Sequence, residues 1–98
     1  MFEESTLTAY TPFVVVEAHS GKLVFNSNHI VAVGGIQENI FPKPLQGGHF
    51  YFEVFLHGVE KGGRAIHSKN FENAEEYNAA IDEIKAIRAD LLEQLGIE

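Results

Sequence analysis

Five histidines, His19, His29, His49, His57 and His67, are the residues of this chain whose chemistry is most open. An imidazole takes up a proton near neutral pH, passes one on, or ligates a metal. None of them stands at the H-x-x-x-H spacing of a helical metal pair, and with no cysteine to complete a zinc set no metal site is expected. His57 and His67 flank the last hairpin; if it closes symmetrically, His57 faces Arg64, Phe55 faces Ile66 and Val54 faces His67, which puts the two imidazoles on opposite faces. Nucleophilic catalysis would need a serine held beside a histidine and a carboxylate. Ser20, Ser27 and Ser68 all fall in turns or strand ends, and no G-x-S-x-G elbow occurs. Glu53 would need a distant second acid to do acid–base work. The chain therefore reads as a non-enzyme without catalytic residues or cofactor. A small hydrolase or isomerase using His67 or His57 with Glu53 rests on no recognisable spacing.

Arg64 and Arg88 are the only arginines. A planar ring stacked on an aromatic side chain while arginine holds a phosphate is a common way to bind a nucleotide. Arg64, Arg88, Tyr51, Phe55 and Phe41 are accordingly the candidate ligand-binding residues. The glycine pairs Gly34-Gly35, Gly47-Gly48 and Gly62-Gly63 lack the strand–loop–helix setting of a phosphate loop and read as turns.

These side chains must be carried by a small fold. The 98 residues, 45% hydrophobic and 21% charged, suit one domain with one core. The absence of cysteine and of a basic, apolar leader points to a soluble cytoplasmic protein, and no apolar run approaches the length of a membrane span. Of the net charge of −7, residues 72–98 carry −6. Clustered lysine and arginine are missing, so direct binding to a nucleic-acid backbone is not expected.

The pattern predicts an α+β domain, an antiparallel sheet of about five strands followed by one long C-terminal helix. Residues 1–9 form a loose arm, 10–69 the sheet and 73–96 the helix. Phe13 to Ala18 is a strand whose continuous apolar run suggests burial on both faces, as in a central strand. Ser20-Gly21 turns it into Lys22–Phe25, and Asn26-Ser27-Asn28 turns again before Ile30–Val33. Residues 36–48, with Pro42 and Pro44, read as a long irregular loop. His49 to His57 alternates, with Phe50, Phe52, Val54 and Leu56 on one apolar face. Asn73 and Glu76 form a capping box, and Gly96 ends the helix. One helix stripe holds Tyr77, Ile81, Ile84, Ile87, Leu91 and Leu95, with Arg88 breaking a heptad spacing. About 22 residues span about 33 Å, so the helix is expected to overhang the sheet and to present Leu91, Leu92 and Leu95 to another chain. Ile40 and Leu45 of the loop are further interface candidates.

The stretch FVVVEAHSGKLVFNSNHIVAV (13–33) resembles the opening of small bacterial proteins of the FlbD type, at Gly21, Val24, Asn26, Ile30 and Val33. The proline-containing insert and the long helix depart from that pattern. The resemblance implies a regulatory or binding role without catalysis and carries over no functional residues. The build is also similar to that of small acidic phage and mobile-element inhibitors of host defence. The expected function is thus a homo-oligomeric, non-enzymatic binding or inhibitor protein that caps a host protein or sequesters a nucleotide signal. The alternative is a ligand-free structural or regulatory interaction module of bacterial or phage origin.

Overall fold

The computed structural model describes residues 13–58 and 63–96; the expected arm at 1–9 and part of the last hairpin turn lie outside them. Strands β1 (Phe13–Ala18) and β2 (Gly21–Asn26) form an antiparallel ribbon in which Ala18 pairs with Gly21, so the turn is His19-Ser20, one residue earlier than expected. The ribbon has no third strand among the described residues. In place of the expected two-sided burial, β1 buries only Val14 and Val16, while Phe13 remains 58% exposed. A short 3-10 turn at Ser27–His29 follows, capped by Asn26, whose Oδ1 accepts from the Asn28 amide at 2.9 Å.

The second sheet is organised by β5 (Gly48–Leu56), which pairs with β3 (Ile30–Val33), β4 (Gln37–Ile40) and β6 (Arg64–His67), all antiparallel. Val54 pairs with both Val33 and Arg64, and Tyr51 with both Gln37 and His67. Each strand has two edges, so β3 and β4 lie end to end along one edge of β5 and β6 lies along the other. The row of β6 continues through Ser68, whose amide donates to the Phe50 carbonyl at 2.8 Å, to Phe71, which bridges to Gly48. Six strands are thus present among the described residues where about five were expected, and the addition is β4, inside the region read as loop. The two prolines sit in the turn after it, where the Leu45 amide donates to the Pro42 carbonyl at 3.0 Å. Polar Gln37, Glu38 and Asn39 suit an edge row with little burial, which is why the segment does not announce itself as a strand.

The β4–β5 turn ends where three stretches of backbone crowd together. Gly47 has φ +83°, and a Cβ on it would collide with the Phe71 carbonyl; a Cβ on Gly48 would collide with the Asn39 carbonyl. Only glycine fits either place.

Helix α1 (Ala74–Leu95) covers the inner face of β5. The Asn73 side chain accepts from the Glu76 amide at 2.8 Å, and the Glu76 carboxylate accepts from the Glu72 amide at 2.8 Å, so the capping box closes one residue earlier than its usual partner. Gly96, in the left-handed conformation, ends the helix. Phe50, Phe52, Val54 and Ile66 from the sheet meet Ala80 and Ile84 of the helix in the core. At the helix N-terminus Phe71 and Tyr77 stack against Phe50, with ring centres 4.9 to 5.2 Å apart, each such pair adding about 0.5–1.5 kcal/mol beyond its burial. No helix among the described residues is long and apolar enough to cross a membrane.

The end of the helix is not left open. The ribbon packs against it, and Leu91, fully buried, joins Val14, Val16 and Phe25 in the same apolar cluster. Leu92 and Leu95 are half-buried. Gln94 fastens the ribbon: its Oε1 accepts from the Val15 amide at 2.9 Å, and its Nε2 donates to the Val15 carbonyl at 2.7 Å and to Asp90 Oδ2 at 2.9 Å. Leu91 is therefore a core residue of its own chain and not an interface residue.

Leu91→Ala is expected to lower the unfolding free energy by about 2–5 kcal/mol, by the same amount at every protein concentration; a loss that shrinks on dilution in urea titrations would return Leu91 to an interface. In the same assay Gly48→Ala is expected to cost about 1–3 kcal/mol, whereas Gly35→Ala, whose Cβ would meet nothing within 4 Å, should leave stability unchanged or slightly raised.

Candidate functional site

Because side chains alternate along a strand, the helix takes only half of β5. The other half, His49, Tyr51, Glu53 and Phe55, points to the opposite side of the sheet, all four half-buried. Register adds Gln37 and Asn39 from β4, Ala32 from β3, and Ala65 and His67 from β6 to this outer face. The one α-helix of the described residues lies on the inner side.

Four rings meet at one end of the outer face. His49 and His67 lie with ring centres 4.8 Å apart in an edge-on arrangement. Phe41, just past β4, stands 5.6 Å from His49, and Tyr51 stands 6.0 Å from His49 and 5.9 Å from His67. The Tyr51 hydroxyl donates to Gln37 Oε1 at 3.3 Å, which ties the ring to the β4 row. Phe55 lies further along, its ring edge over the bare Cα of Gly34, where an added Cβ would come within 3.4 Å of it.

The expected hairpin register is not the one found. Val54, Phe52 and Tyr51 pair with Arg64, Ile66 and His67, three positions away from symmetric closure. In this register Ile66 falls opposite Phe52 on the apolar face of β5, where symmetric closure would have set it opposite Phe55 on the other face. Ile66 thereby joins Phe52 in the core, and His67 comes beside His49, which no spacing in the sequence links to it. His57 follows β5 in the turn, where its amide donates to the His29 carbonyl at 2.7 Å.

Nor do the five candidate ligand residues form one site. Phe41, Tyr51 and Phe55 belong to the outer face. Arg64 pairs with Val54 and so lies on the helix side of the sheet, exposed. Arg88 comes from the helix, and its Nε donates to the Gly34 carbonyl at 2.7 Å, at the break between β3 and β4. The arginine that interrupts the heptad stripe thus pins the row break to α1. Ser68 likewise serves the nearby backbone, since its buried Oγ accepts from the Phe50 amide at 3.0 Å and donates to the Lys69 carbonyl at 2.8 Å. Among the described residues no group of three or more His, Asp or Glu side chains is placed to hold a metal. Two recesses elsewhere, about 320 Å³ at Phe71, Asn73 and Tyr77 and about 430 Å³ at Val15, Asp90 and Gln94, are lined without any histidine or arginine. Ile40 and Leu45 are 59% and 62% exposed at the β4–β5 turn.

Burial of the ring, and then the positive charge His67 carries when protonated, hold the His49 pKa below the ordinary imidazole value of 6.5. No family model matches the chain, and neither a curated protein nor a solved structure matches it.

The folded state favours neutral His49, so as pH falls through 6.5 the unfolded chain binds the proton first. Stability contributed by this residue is present above that pH and declines below it, levelling off once the folded pKa is passed. Urea midpoints measured from about pH 7 down to about pH 5 should fall, and the fall should be shallower in His49→Gln; an unchanged slope in the variant would remove His49 as its source.

Proposed function

We propose that this chain is a non-enzymatic binding protein that engages a protein partner through the outer face of its four-stranded sheet. The observation that carries this reading is the contiguous cluster of Phe41, His49, Tyr51 and His67 on a sheet face that no helix of the described residues covers. Rigid aromatic side chains on a flat scaffold bring large contact area at low conformational cost, which is how interface anchors work. At the same end of the sheet Ile40, on the helix side by its pairing with Gly48, and Leu45, in the turn, add exposed aliphatic surface. An inhibitory role, of the kind expected for small acidic phage proteins that cap a host protein, requires only such a surface and no chemistry. Self-association through the helix has less support, because its apolar stripe is used inside the chain and its outer side carries Glu75, Asp82, Asp90 and Glu93.

A nucleotide ligand is the second reading. The stacking half of such a site is present in Phe41 and Tyr51, but the phosphate half is not beside it, since Arg64 and Arg88 belong to the helix side. Protein recognition is therefore favoured.

A capture experiment with identified binders separates the two. A partner protein should be retained by the wild type and by Asp82→Ala, and lost from Tyr51→Ala and Phe41→Ala variants that keep the wild-type circular dichroism. Retention by the outer-face variants would refute the proposed surface. A rise in melting temperature with one member of a nucleotide panel, lost in Tyr51→Ala, would instead establish the second reading.

A further inference from the structure

We propose that His49 and His67 form a two-imidazole site for a divalent transition metal of the zinc, nickel or copper type. The inference uses two rings of the proposed binding surface but does not require a partner, and it rests on the cross-strand geometry. Tyr51 pairs with His67, so His49, two residues back along β5, is the diagonal neighbour of His67 on the same face. Two imidazole nitrogens about 2.0–2.1 Å from one tetrahedral metal put their ring centres about 5 Å apart. The 4.8 Å between these rings already matches that separation. Both ligands ride on paired strands, so little chain entropy is lost when a metal draws them together.

The surroundings suit a cation. The outer-face positions of β4, β5 and β6 include the carboxylate Glu53 and no lysine or arginine. Phe41 and Tyr51 flank the pair and limit the directions in which either ring can swing. Nitrogen donors select borderline metals over magnesium or calcium, which prefer oxygen. With no third histidine or carboxylate in place among the described residues, the remaining coordination positions fall to water. Such a site is exchangeable and open, unlike a structural zinc, and the fold does not depend on it.

The test is titration of the full chain with Zn²⁺, followed by calorimetry and by the imidazole NMR signals. One Zn²⁺ should bind per chain, shifting the ring resonances of His49 and His67 together and leaving those of His19 and His57 in place. His49→Gln and His67→Gln should each weaken binding by at least about tenfold, since loss of even an outer-shell partner costs about 10–100-fold. His57→Gln should change nothing, and Mg²⁺ should not compete. Wild-type chain that binds no Zn²⁺ at millimolar concentration, or that shifts other histidines instead, overturns the proposal without reliance on any variant. Undiminished binding by folded His49→Gln and His67→Gln would overturn it equally.

Discussion

The hydrogen bonds that leave both edges of β5 set the position of nearly everything else in the chain. One edge is taken up by β3 and β4 in line, the other by the row running from Arg64 to Phe71. A strand paired on both sides has no freedom to slide, so its alternation is converted into two fixed surfaces. The inner surface, Phe50, Phe52 and Val54 joined by Ile66 of β6, is closed by α1. The outer surface inherits whatever side chains remain, and here these are aromatic and imidazole rings. The core and the ring-bearing outer face are two consequences of one register.

The parts of the fold decided by local chemistry are legible in the sequence. The alternation of 49–57, the Asn73 cap, the Gly96 stop and the apolar stripe of the helix depend on neighbours within a turn or a strand, and the α+β order follows from them. What depends on distant partners is not. The unbroken apolar run at Phe13–Val16 suggests a central strand, yet it belongs to a ribbon whose cover is the far end of the helix. The polar segment Gln37–Asn39 reads as loop because an edge row buries little. A cue to the last hairpin is present in Ile66, an apolar residue that symmetric closure would set on the outer face opposite Phe55. Placing it with Phe52 demands the register that is found.

The site is the least legible element for the same reason. His49 and His67 are 18 positions apart and meet only diagonally, so a shift of one residue would part them. Arg88 stands out in the sequence as an anomaly in an apolar stripe, and it does need a partner. That partner is a backbone carbonyl at the break between two strands, Gly34, which no pattern of side-chain types could have named.

The clasp between Gln94 and Val15 has a bearing on the company this molecule keeps. A two-stranded ribbon exposes two peptide edges, one on each strand, that can template further strands from other molecules. At Val15 both the donor and the acceptor of the β1 edge are occupied by a carboxamide, which has the hydrogen-bonding pattern of a peptide unit but no chain to continue it. Asp90 holds the same amide nitrogen and so fixes which end of the carboxamide meets which backbone group. A single side chain from the helix thus plays the part of a terminal strand, and growth of the ribbon along its β1 edge meets a stop near the middle of that strand.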